Sequence, residues 1–186
     1  MNNSVKSVLI FGLPGSGKSY LINLIREKLP HYARLSGGSL INAELTDEQR
    51  DSLRGLASSQ VIGNQEILIS NFWRKVDEDN ISHVLFDGHL MVRGAQEDTI
   101  IPMEVIRKLS PDLLIFLDVS VERILAQRKA DLNRPDRANQ TPKILDEERC
   151  AQLELFASYG KALGVDTLIY SGTDIEVIIE QIESLG

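Results

Sequence analysis

The sequence predicts an α/β fold with three layers, in which a five-stranded parallel sheet lies between helices on both of its faces. Five short apolar runs of strand-like composition recur along the chain, and segments with apolar residues at helical spacing separate them. The chain has 186 residues and a hydrophobic content of 42%, which suits one domain with its own core. We therefore expect a single domain over residues 1–186.

The first predicted strand, residues 7–11, leads into a glycine-rich stretch that fits the pattern G-x-x-x-x-G-K-S/T at every fixed position. Its residues are Gly12, Leu13, Pro14, Gly15, Ser16, Gly17, Lys18 and Ser19. Apolar residues then recur at helical spacing as far as Leu29, and Pro30 blocks continuation of the helix. The order of strand, loop and helix is the context in which this pattern binds the phosphates of a nucleoside triphosphate.

Each residue type in this loop suits that chemistry. Glycines let the backbone approach a ligand closely, and the loop N–H groups converge at a helix N-terminus, where the helix dipole favours an anion. Lys18 supplies a point charge for the β- and γ-phosphates, and the Ser19 hydroxyl is placed to bind Mg²⁺. The predicted ATP-binding residues are Gly12, Pro14, Gly15, Ser16, Gly17, Lys18, Ser19 and Tyr20.

The alternation of strands and helices continues along the chain. Further strands are predicted at 31–35, 82–86, 113–117 and 165–170, and further helices at 60–78, 100–109, 120–130, 144–163 and 174–185. Ser120 and Asp174 are expected as helix N-caps, and Gly164 is expected to end a helix. Residues 36–39 are expected to form a small-residue loop, and Cys150 is expected to be a small buried residue.

The polar stretch after the second strand predicts one more helix, which Thr46 begins as N-cap. Arg50 and Arg54 lie four residues apart, so they share one face of that helix. The pair either binds an anionic ligand or lies on a solvated surface, and the sequence leaves both open.

Ligands of parallel sheets bind beyond the carboxyl ends of the strands, where the third strand ends in Asp87-Gly88-His89. Asp87 is placed to hold Mg²⁺ through water or to orient a substrate, and the alternative is a cap of the next turn. His89 either contacts the substrate or is structural.

A segment rich in Arg and Asp follows the helix that ends at Ala130. Phosphoryl transfer needs positive charge around the transferred group, and guanidinium groups bind its oxygens through two hydrogen bonds. We therefore predict a short lid over about residues 128–142, with Arg128 and Arg134 joining Lys18 and Asp87 as catalytic residues. Arg137 also lies there, and the alternative is a salt-bridged surface loop.

Composition excludes several classes. A net charge of −7 argues against a broad nucleic-acid footprint, and a single cysteine excludes an intramolecular disulfide. Neither a signal peptide nor an apolar run long enough to cross a bilayer is visible, so we expect a cytoplasmic protein without membrane contact.

The chain resembles the nucleoside monophosphate kinases of the P-loop NTPase superfamily, and among them the archaeal-type adenylate kinases. The resemblance runs over nearly the whole length. It rests on the phosphate loop, the turn at 36–39, the helix from Asp47 to Arg54, Asp87 and His89, the block 111–115 with Ile124, Leu125, Arg128, Asp131 and Arg134, and finally Tyr159 and Gly164.

The resemblance implies a nucleotide-kinase-like fold and ATP:AMP phosphotransfer with Mg²⁺ as cofactor, held by Ser19 and Asp87. The nucleoside monophosphate would lie in an acceptor region of about residues 36–78, between Ser39 and the pair Arg50 and Arg54. Asp87 and His89 would lie near the reacting phosphates. The resemblance also suggests a homo-oligomer.

The leading hypothesis is therefore a kinase that moves the γ-phosphoryl of ATP to a nucleoside monophosphate, with AMP as first candidate. One alternative keeps this chemistry and changes the acceptor to another small molecule. The other is a nucleotide-binding regulatory or assembly ATPase, whose ATP state controls a partner.

Overall fold

A computed structural model describes residues 5–42, 58–93, 98–130 and 141–186 of the chain. The strands in these ranges are β1 (Lys6–Phe11), β2 (Ala33–Ser36), β3 (His83–Asp87), β4 (Met91–Arg93), β5 (Asp98–Ile100), β6 (Leu113–Leu117) and β7 (Asp166–Tyr170). The helices are α1 (Lys18–Lys28), α2 (Gly37–Asn42), α3 (Ser58–Glu78), α4 (Met103–Lys108), α5 (Val121–Ala130), α6 (Pro142–Leu163) and α7 (Ile175–Glu183).

Five strands form one parallel sheet in the order β2-β3-β1-β6-β7, which confirms the predicted sheet. The central strand β1 and its neighbour β6 are apolar and buried along nearly their whole length, because both faces of the sheet are covered. In the registers of β1 and β2 with β3, Ile10 and Ser36 both pair with Asp87. The carboxyl ends of these three strands therefore meet at one edge.

Aromatic side chains fill the layer between the sheet and the helices α3 and α6. Phe72 of α3 lies edge-on to Phe86, with ring centroids 5.9 Å apart. Phe156 of α6 contacts both Phe11 and Phe116, at centroid distances of 6.4 and 5.5 Å. Helices α1 and α7 contact each other and cover the other face, which completes the three predicted layers.

Single residues mark the first or last turn of several helices, as the sequence predicts. Ser120 Oγ accepts a hydrogen bond from the Arg123 amide, and Asp174 Oδ1 accepts one from the Glu176 amide, so both residues act as N-caps. Gly164 ends α6 with a left-handed backbone, at φ 65°.

Two predicted elements differ from the structure. Residues 36–39 are not a loop, because α2 begins at Gly37 and the Ser36 hydroxyl accepts a hydrogen bond from the Ser39 amide in its first turn. The helix predicted over 100–109 begins only at Met103, directly after Pro102. Residues 98–100 instead pair with 91–93 in an antiparallel ladder, and helical spacing cannot indicate such a strand pair.

The sequence predicts that Cys150 is buried, but it is exposed on α6. The helical pattern around it identifies the helix correctly, whereas which positions face solvent depends on what the helix packs against. Among the helices of the described ranges, none has both the length and the hydropathy of a membrane crossing. The predicted helix that begins at Thr46 lies outside the described residues, and the single domain over 1–186 stays a prediction.

Candidate active site

The loop between β1 and α1 keeps glycine at two positions for identifiable reasons. Gly12 and Gly15 have φ angles of 143° and 87°, which residues with a Cβ rarely adopt. A Cβ on Gly12 would lie 2.7 Å from the Leu117 carbonyl oxygen, and one on Gly15 would lie 2.9 Å from Cγ of Arg128. The glycines therefore let the loop pass close to the end of β6 and to an arginine of α5.

Lys18 is the first residue of α1 and is only 6% exposed. Its ammonium donates to the carbonyl oxygen of Gly12 at 2.8 Å and to that of Leu13 at 3.4 Å. These contacts hold the charge against the loop that the sequence predicts to bind phosphates. Phosphate oxygens are stronger acceptors for an ammonium than neutral carbonyls are, so the lysine can exchange these partners for a ligand.

Three side chains form a compact polar cluster at the carboxyl edge of the sheet. Ser19 Oγ donates to Asp87 Oδ2 at 3.3 Å. Arg34 Nη2 donates to both of these oxygens, at 2.8 Å to Ser19 Oγ and 2.9 Å to Asp87 Oδ2. The cluster is partly buried, since the Arg34 and Asp87 side chains are 30% and 13% exposed.

The cluster joins the two predicted magnesium ligands to a residue that sequence reasoning missed. Arg34 lies on β2, which neighbours the strand that ends in Asp87, so the predicted parallel pairing offered a signal for it. A hydroxyl and a carboxylate are the hard oxygen donors that Mg²⁺ takes. The Arg34 guanidinium contacts the Ser19 and Asp87 oxygens, so this position attracts a cation. The residues present therefore fit a metal ion.

Arg128 lies in the last turn of α5, in agreement with the helix predicted over 120–130. Most of the lid predicted over about residues 128–142 lies outside the described residues, so the lid stays a prediction. Arg128 is 3% exposed, and its Nε donates to the carbonyl oxygen of Pro14 at 2.8 Å. The arginine is therefore packed against the phosphate loop from the side of α5. A Cβ on Gly17 would meet the Gln127 amide at 3.6 Å, so this glutamine, which the sequence did not single out, also lies beside the loop.

An ion pair that sequence reasoning missed, between Arg149 and Asp118, fixes the first part of α6. Arg149 Nη2 donates to Asp118 Oδ2 at 3.0 Å, and its Nε donates to the other oxygen of that carboxylate. The hydrogen bond to Asp118 raises the pKa of Arg149 above its ordinary value, so the guanidinium keeps its charge. Arg128 thus ties α5 to the phosphate loop, and Arg149 ties α6 to the residue that follows β6.

A cavity of about 200 Å³ opens next to the polar cluster. Its walls come from α2, α3, β4, the residue after β5, and α4, and they are mostly apolar; Gly88 and His89, which follow Asp87, also line it. Its lining is Gly37, Gly38, Ile41, Val61, Asn64, Gln65, Leu68, Phe86, Gly88, His89, Val92, Ile101, Val105, Ile106 and Leu109. The cavity therefore takes one part of its lining from the predicted acceptor region of about residues 36–78 and the other part from residues 86–109, and it reaches the edge where Asp87 lies.

The remaining predicted site residues are distributed differently. Ser39 is exposed on α2, and its hydroxyl accepts a hydrogen bond from Ser36 Oγ at 2.7 Å. Tyr20 is 65% exposed, one residue after Ser19. Arg50, Arg54 and Arg134 lie outside the described residues, as does Arg137, so their predicted roles stay predictions.

Comparison with known proteins gives concordant findings. The family described as AAA domain matches residues 11–145. An adenylate kinase from Pyrobaculum aerophilum is 28% identical over 175 residues, which cover 88% of this chain and 82% of that protein. A thymidylate kinase from Shewanella loihica is 28% identical over 183 residues, covering 83% of this chain and 84% of that protein. A solved shikimate kinase from Bacteroides thetaiotaomicron has a TM-score of 0.59 at 18% identity, with 97% of each chain covered.

Proposed function

The chain belongs to the AAA domain family, and we propose that it transfers the γ-phosphoryl group of ATP to a nucleoside monophosphate, with AMP as the first acceptor to test. The chain is a P-loop kinase and is similar to archaeal adenylate kinases, as the family match and the kinase relatives indicate. The observation that carries the proposal is the cavity, which reaches Gly88, next to the cluster of Ser19 and Asp87.

The donor would be bound by the residues of the phosphate loop. The Lys18 ammonium would leave the carbonyls of Gly12 and Leu13 for the β- and γ-phosphates. Ser19 and Asp87 would hold Mg²⁺, which supplies charge neutralisation on the phosphate oxygens when bound. Arg128, fixed on Pro14, supports the loop in the shape that receives the phosphates and adds positive charge behind it.

The acceptor base would lie in the cavity, between the apolar side chains of α3 and the β4–β5 pair. Its phosphate would point past Gly88 towards Asp87, where Arg50 and Arg54 are predicted to hold it. An acceptor phosphate oxygen would then form a bond to the γ-phosphorus as the bond to the β–γ bridging oxygen breaks, giving ADP and a nucleoside diphosphate. Positioning and charge carry the reaction without a covalent enzyme intermediate, and Arg134 is predicted to complete the charge.

One feature of the cavity favours a second candidate. Among the described residues that line it, His89 is the only ionisable one. A lining with so little charge also suits a neutral flat acceptor, such as a nucleoside, which needs no arginine for a phosphate of its own. The second candidate function is therefore kinase activity on another small-molecule acceptor.

A scan of acceptors tests both candidates. Purified protein with Mg²⁺ and ATP is incubated with AMP, CMP, UMP, GMP, dAMP, dTMP, adenosine and deoxyadenosine, and the nucleotides are separated by chromatography. Lys18→Ala protein prepared in parallel excludes a contaminating kinase. We expect a diphosphate product from at least one monophosphate, with AMP fastest. Products from nucleosides alone would favour the second candidate, and release of ADP that no acceptor accelerates would contradict both.

A further inference from the structure

Arg34 occupies a defined position between the two predicted metal ligands. A single guanidinium nitrogen, Nη2, lies 2.8 Å from Ser19 Oγ and 2.9 Å from Asp87 Oδ2, while these two oxygens are 3.3 Å apart. The three atoms therefore form a tight triangle. In it, the cationic nitrogen uses the same two oxygens that a divalent cation would need.

We propose that Arg34 is a positioning residue that holds the metal-binding oxygens of the nucleotide-free enzyme and prevents divalent cations from binding there before the nucleotide. The proposal rests on the proposed function only in requiring that the chain bind a nucleoside triphosphate with Mg²⁺. It assigns to Arg34 the order of events at the site: phosphates first release the guanidinium, and the oxygens of Ser19 and Asp87 then become available.

Electrostatics supports this exclusion. Two cations in contact with Asp87 Oδ2 would repel each other strongly, because the carboxylate is only 13% exposed and water screens their charges little. The guanidinium also uses the Ser19 hydroxyl, so the competition involves both predicted ligands. A divalent cation without nucleotide would have to break both contacts and leave the charge of Arg34 without these acceptors.

A polyphosphate changes this balance. Its oxygens bind a guanidinium through charge-assisted hydrogen bonds, so Arg34 gains a new partner at the moment it gives up Asp87. Arg34 lies on β2, only three residues before Gly37 of the cavity wall, which keeps the released side chain between the predicted donor and acceptor sites. Nucleotide and metal should therefore bind cooperatively.

The test measures metal binding without nucleotide and without turnover. Mn²⁺ is titrated into the full chain, and free Mn²⁺ is followed by electron paramagnetic resonance. Arg34→Met removes the charge and keeps an unbranched side chain, so we expect it to bind Mn²⁺ at least tenfold more tightly than the unmodified protein. Arg34→Lys keeps a cation and should stay close to the unmodified protein. Arg107→Met, at an exposed arginine of α4, is the matched control and should change nothing.

A double variant identifies where the gained metal binds. Arg34→Met combined with Asp87→Asn should lose the gain, because the carboxylate that binds the metal is gone. Equal Mn²⁺ affinity in Arg34→Met and the unmodified protein would overturn the proposal, and so would a gain that survives Asp87→Asn. Arg34→Gln replaces the methionine variant if circular dichroism shows that the latter does not fold.

The outcome is separate from that of the acceptor scan. Mn²⁺ binding in the absence of nucleotide does not depend on which acceptor the enzyme uses. A failed scan with a tenfold gain in Arg34→Met would remove the monophosphate kinase and leave this role of Arg34 standing. A successful scan without a gain in Mn²⁺ affinity in Arg34→Met would support the kinase and remove this role of Arg34.

Discussion

The two edges of the parallel sheet are built from the ends of the same strands, yet they differ in what holds them. At the carboxyl edge, Ser19, Arg34 and Asp87 form a polar cluster beside the phosphate loop. At the amino edge, aromatic rings pack against one another. The ring centroid of His83, at the start of β3, lies 4.8 Å from that of His31 and 4.9 Å from that of Tyr32.

The amino edge also has a carboxylate, which serves the backbone. Asp112 Oδ2 accepts a hydrogen bond from the Ser7 amide at 2.7 Å, and the Asp112 amide donates to the Ser7 carbonyl oxygen at 2.8 Å. Burial raises the pKa of Tyr32 and lowers that of His83, so both side chains favour their uncharged forms. The carboxylate at this edge therefore holds the Ser7 backbone and does not face a ligand site.

The two edges of a parallel sheet therefore offer different surroundings for a reaction. At the carboxyl edge, loops leave the strands towards helix N-termini, which favour anions, and a mostly apolar cavity begins at Gly88 and His89, directly after Asp87. Variants at this edge should affect catalysis more than stability, and variants at the amino edge should do the opposite. We expect these effects to range from a large loss of activity at Lys18 to a small pH dependence of stability at His83.

Lys18→Ala should have the largest effect, a fall in kcat of about 10³-fold or more, because the variant lacks the mobile charge for the phosphates. Its urea midpoint should stay near that of the unmodified protein, since the ammonium donates to two neutral carbonyl oxygens, those of Gly12 and Leu13. Lys161→Ala, at an exposed position of α6, is the control and should keep full activity. Full activity in Lys18→Ala would contradict the catalytic role that we assign to the carboxyl edge.

A matched pair of carboxylates compares the two edges directly. Asp87→Ala should lower kcat by about 10²-fold or more, because Ser19 and Arg34 lose their shared partner. Asp112→Ala should keep its activity per folded molecule and lower the free energy of unfolding by about 1–2 kcal/mol, since the Ser7 amide loses its acceptor. Steady-state kinetics and urea unfolding on both variants check this, and the reverse pattern would break the comparison.

Tyr159→Phe tests a hydrogen bond that should contribute both to stability and to the shape of the cavity. The Tyr159 hydroxyl of α6 donates to the Ile101 carbonyl oxygen at 2.7 Å, and Ile101 lines the cavity. We expect a loss of about 1 kcal/mol in the free energy of unfolding and a several-fold higher KM for the acceptor, with the KM for ATP unchanged. An equal rise in both KM values would place the effect outside the cavity.

The smallest expected effect is a pH dependence at the amino edge. Burial, followed by the proximity of His31 and Lys6, lowers the pKa of His83 below its ordinary value of 6.5. The unfolded chain therefore takes up the proton first, so this contribution to stability is complete above about pH 6.5 and is lost as the pH falls towards the folded pKa. Urea unfolding between pH 7.5 and 5, at roughly half-unit steps around these values, should show a shallow decline that His83→Gln reduces. An unchanged slope in that variant would contradict the assignment.

Sequence reasoning succeeded where the determining contacts are local. The loop glycines, Lys18 and Ser19 follow one another in the chain, so their pattern is sufficient to identify the phosphate loop. Periodicity likewise identified the five-stranded sheet, and single residues such as Asp174 and Gly164 set helix ends, because a cap acts on the amides or carbonyls next to it.

What tertiary structure alone decided are the contacts between residues far apart in the chain. Arg34 meets Asp87 across 53 positions, and Arg128 reaches Pro14 across 114. The burial of Arg128 and the exposure of Cys150 likewise depend on which surfaces face each other. A sequence pattern reports the preferences of neighbouring residues, whereas these features arise only when the sheet brings distant strand ends and helices together.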